Sequence, residues 1–289
     1  LTEAAYLLST VVPARISIPF QPGASASAIS ATLEDLTDLL TDAKPVDLNS
    51  LPPMEQWQRA RSAKSWGDWT ETLADHRILL SLWPLIYGAY VGPHSLPPSV
   101  IESCLLTINS VNQCTFCSGL HCELGRLAGV AQPVKLNGAR TLEEALALTS
   151  PDAHAAVAYA RSFALCDGRG KTESDAFAEL VRAFGEGRAA SVRALCWLLY
   201  WGSFTGNTLN CAIGYRQQKV GTDERFLVQL LGLYGLVFFG LITMASALLK
   251  VLPSRLPHWL FRLMGLVLAS VCLLSYGALG LVGTLRGAR

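Results

Sequence analysis

The chain is short of charge. Only 16% of its 289 residues are Asp, Glu, Lys or Arg, well under the ~25% of ordinary soluble domains. The two signs nearly cancel, with 23 Lys and Arg against 22 Asp and Glu and a formal net charge of +1. The basic excess of a nucleic-acid binder is missing, so no nucleic-acid partner is expected. Eight cysteines are too sparse for a small secreted disulfide scaffold. Alternation of β-branched with polar residues is absent throughout, which excludes a sheet-based fold and predicts an all-α one. No internal repeat or long low-complexity tract appears. The glycines Gly185 and Gly187 follow no strand, so they form a turn and not a phosphate loop. What is abundant is apolar surface: 51% of residues and a mean hydropathy of +0.34. That excludes a disordered chain and points to membrane segments.

Two uncharged runs carry most of the hydropathy, residues 226–249 and 263–285. As helices at ~1.5 Å per residue they reach roughly 36 and 34 Å, enough to cross a ~30 Å hydrocarbon core. Between them Pro253 and Pro257 break helical continuity, while Lys250, Arg255, His258, Arg262 and Trp259 suit a headgroup level. Residues 221–289 are thus expected to form a two-helix transmembrane hairpin that contacts membrane lipid. Gly232, Gly235 and Gly240 in the first run, and Gly265, Gly277, Gly280 and Gly283 in the second, favour close helix approach, within the hairpin or against a partner. Neither run holds an Asp, Glu, Lys, Arg or His, so no ion pathway is expected and the hairpin reads as an anchor.

Residues 1–56 read as an arm and linker, closed by the proline-containing run KPVDLNSLPP. The sequence starts at Leu1, from which a trimmed start or a removed targeting segment is expected. An organelle inner membrane, mitochondrial first, is the expected location, with a bacterial inner membrane as the alternative. Residues 57–220 are helical in pattern. Ser99 with Glu102, and Thr141 with Glu144, have capping-box spacing, and Gly129 suits a helix stop. His76, His94 and His154 fall in turns or at helix edges and are expected to be solvated. Cys104, Cys166, Cys196 and Cys211, with Trp197 and Trp201, are expected in the core or at an interface.

The chemistry gathers at Cys114, Cys117 and His121. On a helix their spacings of three and four put all three on one face. A thiol in the first helical turn feels the positive end of the macrodipole, which lowers its pKa. A pair so placed can cycle between dithiol and disulfide, with His121 moving the proton. Ser118 stands where a c-type haem would need its histidine. Zinc is disfavoured because Cys114 and His121 lie roughly 10 Å apart along a helix, too far for bonds of ~2.0–2.3 Å to one ion. Thiols packing as small hydrophobes remain a further reading. No metal or cofactor beyond a redox-active disulfide is expected.

The run Glu102–x11–Cys114–x2–Cys117–x3–His121, with its flanks between about 65 and 215, resembles the signature of the alkylhydroperoxidase D-like (AhpD-like) / carboxymuconolactone decarboxylase superfamily. The resemblance implies an all-helical, commonly oligomeric fold and a disulfide reductase activity ending in peroxide reduction. It implies Cys117 as the attacking thiol, Cys114 as the resolving one, and Glu102 with His121 as the proton relay. Phe116 stands where some peroxidase members carry a histidine, and the decarboxylase branch lacks the paired cysteines.

Two functions follow as expectations. One is a membrane-anchored thiol–disulfide oxidoreductase of the peroxide-reducing type, fed by a reduced thiol donor. The other is an accessory subunit of a large membrane complex, for example an organellar energy-converting assembly, retaining the fold with a vestigial redox site. Protein partners or self-association fit both.

Overall fold

Helix punctuation in the sequence sets the architecture. A computed structural model describes residues 64–66, 69–215, 222–253 and 255–287, with the backbone alone over 211–215 and 222–234 and at 237 and 287. The arm expected over 1–56 lies outside the described residues. Eleven α-helices occur among the described residues, with no strand, so the chain is all-α as the missing alternation predicts.

Helix α1 (Trp69–Ser81) is followed at once by α2 (Trp83–Tyr90), whose second residue is Pro84, a position where a missing N–H costs nothing. After a turn through Gly92, α3 (Pro98–Asn112) begins on a proline pair. Thirteen of its fifteen residues are buried, which makes it the central helix. It packs on α4 (Thr115–Ala128), α7 (His154–Leu165) and α9 (Glu186–Tyr215). The chain turns from α3 into α4 through Gln113, held in the left-handed region at φ 56°. Gly129, at φ 85°, stops α4, where a residue without a Cβ adopts that backbone freely. Two short helices, α5 (Pro133–Asn137) and α6 (Leu142–Ala147), follow, and α6 carries the expected Thr141–Glu144 capping box. Helix α8 (Gly170–Phe184) covers α7 and α9 and turns Lys171, Asp175, Glu179 and Arg182 outward.

The apolar runs become α10 (Thr222–Leu249) and α11 (His258–Gly287). The stretch His258–Arg286 is long and apolar enough to cross a membrane, while the described side chains of α10 make a shorter apolar stretch, Phe238–Leu249. Each helix packs on the preceding bundle within one compact unit, Lys64–Arg289. Helix α10 lies along α9 and α4, and α11 lies along α1 and α2; the two scarcely meet each other. The small residues serve these contacts. A Cβ at Gly235 would press on Leu209, one at Gly265 on the Tyr90 ring, and those at Gly280 and Gly283 on the backbone carbonyls of His76 and Leu73. Tyr87 and Ser270 are joined at 2.6 Å, and Arg262 donates to Ser95. Helix α11 therefore runs antiparallel to α1 and α2, from Gly283 beside Leu73 to Arg262 beside Ser95. At the connector, Arg126 donates to the carbonyls of Leu249, Leu252 and Pro253, acceptors that the end of α10 leaves open.

Candidate functional site

Cys114 is the N-cap of α4, its sulfur accepting from the backbone N–H of Cys117 at 3.3 Å. One turn on, the Cys117 thiol points back to the same sulfur, with 2.6 Å between the two Sγ atoms. The pair needs only a small side-chain adjustment to reach the ~2.05 Å of an S–S bond. Gly206 on α9 makes room for it, since a Cβ there would stand 2.6 Å from the Cys114 sulfur. Phe116, between the cysteines, stacks against Phe239 of α10 with ring centroids 4.9 Å apart.

His121 follows Cys117 by one turn and its Nδ1 lies 2.9 Å from Oε2 of Glu102 on α3. Against the carboxylate, which only accepts, Nδ1 carries the proton and Nε2 remains as the accepting nitrogen of the ring. Glu102 is 1% exposed, His121 9%, Cys117 4% and Cys114 0%. All four sequence-predicted residues thus come together, and Cys117, His121 and Glu102 line one cavity of about 70 Å³. That is room for a few water-sized groups.

The structure departs from several of the sequence expectations. Glu102 does not cap α3: Pro97 is the N-cap and makes no side-chain cap bond, and the carboxylate goes to His121. The Cys117 thiol is not made acidic by its helix terminus. Burial pushes its pKa up, and the adjoining Cys114 sulfur adds to the rise, so desolvation outweighs the macrodipole. His76 is not solvated but wholly buried. It donates from Nδ1 to the Thr72 carbonyl and accepts the Trp201 indole N–H at Nε2, and burial lowers its pKa to about 4. His94 is exposed, and His154 is half-buried against the Leu146 carbonyl. Cys104 and Cys196 are core residues that face each other at 3.6 Å, Cys166 is half-buried, and the Cys211 side chain lies outside the described residues. Trp197 and Trp201 are buried.

The cavity also contains residues that sequence reasoning passed over. Tyr90 of α2 lines it, its phenol pushed up by burial and by Glu102, so it remains a donor. Cys272 of α11 and Gly202 of α9 line it too. The unusual length of apolar run in α11 and the glycine inside an aromatic helix were the only signals. Cys122, half-buried beyond the cavity, is held at about 11 by burial and then by Glu123. Among the described residues no three His, Cys, Asp or Glu side chains converge as a metal site would need. The chain matches no family model, no curated protein and no solved structure.

Proposed function

We propose that this chain is a membrane-associated, AhpD-like thiol–disulfide oxidoreductase that reduces a hydroperoxide. The observation that carries the reading is the shared cavity, lined both by a thiol with a second sulfur at 2.6 Å and by an imidazole braced by a buried carboxylate. Because burial holds Cys117 as a thiol, it needs a base at the moment of attack. His121 Nε2 takes the proton, and Glu102 holds the ring and stabilises the imidazolium. The Cys117 sulfur attacks the terminal oxygen of R–O–O–H. The O–O bond breaks, and the proton on His121 passes to the departing alkoxide as R–OH. Cys114 then attacks the sulfenic sulfur of Cys117, the S–S bond forms, and water leaves with the Cys114 proton. Two thiols are oxidised and one hydroperoxide is reduced, and a reduced dithiol donor restores the pair. The membrane setting is supported by the apolar helix His258–Arg286, with an organelle inner membrane as the proposed location.

The accessory-subunit reading is favoured by a different observation. Of the seventeen exposed large apolar side chains among the described residues, thirteen lie between Leu236 and Leu285, a surface that a partner's helices would cover as well as lipid would. Peroxide consumption with a dithiol donor separates the readings. The enzyme reading expects Cys117→Ser to abolish turnover and Cys114→Ser to stop it after one equivalent. Wild type and Cys117→Ser equally inert, in a protein that co-purifies with a stoichiometric complex, would leave the subunit role alone.

A further inference from the structure

The cavity beside Cys117 is closed by α10 and α11, the two helices outside the family resemblance, and its walls suit an oily chain. Apart from Cys117, Glu102, His121, Tyr90 and Cys272, every lining residue is an apolar or aromatic side chain or a glycine. A void in a close-packed interior is unusual, and an apolar one with a few convergent polar groups is the usual form of a binding site. Gly202 marks the void. It is buried on α9 and faces the cavity, yet a Cβ built there would meet no atom within 4 Å.

On α11 the cavity wall is only half-covered. Met264, Leu268 and Cys272, one stripe on α11, line the cavity and are each only half-buried, and α10 and α11 scarcely meet across this seam. The outer surfaces beside it are apolar, with Leu241 and Met244 exposed on α10 and Leu263 and Val267 on α11. The seam therefore opens onto the surface that lipid would wet.

The depth of Cys117 along α4 narrows the occupant. Helices α4 and α10 run side by side in one direction, from Phe116 against Phe239 to Arg126 bonded to the Leu249 carbonyl. Cys117 precedes Arg126 by nine residues, roughly 14 Å of helix, about half the ~30 Å thickness of a hydrocarbon core. The connector at the Arg126 end carries Lys250 and Arg255, and the first turns of α11 add Arg262, cations suited to a lipid phosphate. A lipid held there by its headgroup lays the middle of an acyl chain beside Cys117.

We infer that the substrate is a long-chain acyl hydroperoxide, with the peroxide in mid-chain, that enters from the lipid side through the seam between α10 and α11. The inference rests on the thiol reading above and specifies its R group. Cys117 and Cys114 lose two electrons and two hydrogens, the hydroperoxide leaves as the acyl-chain alcohol, and one water is released.

The test uses the full chain, reduced and reconstituted in phosphatidylcholine vesicles. Loss of the Cys114 and Cys117 thiols is followed by mass spectrometry after adding phosphatidylcholine hydroperoxide or water-borne tert-butyl hydroperoxide. The phospholipid hydroperoxide is expected to oxidise the pair at least tenfold faster. Gly202→Leu, which fills the void, should lower that ratio at least fivefold. Leu268→Trp, at the half-exposed seam, should lower it too, and serves if the first variant does not fold. Equal rates for the two hydroperoxides, or a ratio that neither variant moves, would overturn the lipid-side route while leaving the thiol chemistry standing. If neither hydroperoxide oxidises the pair, the thiol reading fails and this inference goes with it.

Discussion

Burial decides the chemistry of Cys117 more than its place in the first turn of α4 does. Burial holds the Cys117 proton on, so its thiolate population at neutral pH is small and its reactivity depends on deprotonation. Alkylation of Cys117 by N-ethylmaleimide, followed at that peptide, should therefore keep rising close to tenfold per pH unit past pH 9. A plateau near pH 7 would show a preformed thiolate and remove the need for His121. His76 carries the opposite kind of perturbation. Its folded pKa is lowered to about 4, against ~6.5 for a free histidine. The folded state binds this proton less readily than the unfolded one, so the contribution is whole above pH 6.5. It is lost as pH falls from 6.5 through 4, at a cost of about 3 kcal/mol. In detergent, thermal unfolding should show that acid loss in wild type. His76→Gln, which keeps an acceptor for the Trp201 N–H, should lose less between pH 7 and pH 4.5.

At the scale of elements, spacing foretold the thiol helix because cap, pair and histidine all lie within one turn or two of each other. Glu102 was legible only through the family resemblance: its partner is nineteen residues away, and the crossing of α3 with α4 decides whether they meet. The local reading of Glu102 as a cap lost because α3 starts on prolines ahead of Ser99. The cavity had no signature at all, since an empty volume is a property of facing helices and no residue type encodes it. Gly280 and Gly283 were legible as close-approach residues, but not the helix they approach. A Cβ at Gly283 would stand 2.3 Å from the Leu73 carbonyl oxygen, whereas one at Gly277 would meet only the Leu273 side chain at 4.0 Å. Gly283→Leu should push α11 off α1 and cost about 1–3 kcal/mol or more, seen as a lowered melting temperature in detergent. Gly277→Leu should leave it near wild type.

The whole molecule is constrained by the run of α11 along α1 and α2. From Gly283 to Arg262 is 21 residues, about 32 Å, the full depth of a hydrocarbon core. If α11 crosses a bilayer in this pose, the bundle bearing the thiols stands at the same depth beside it. Helix α8 belongs to that bundle. Its approach at Arg169 pairs with Glu71 and Asp75 on α1, and its far end leads into α9, where Gly187 meets the ring of His94 near Ser95. The charged side chains on α8's outer face therefore fall between the two headgroup planes. Oil cannot wrap the molecule on every side. In such a bilayer the exposed apolar side chains of α10 and α11 suit lipid, while the charged outer face of α8 needs water or protein against it.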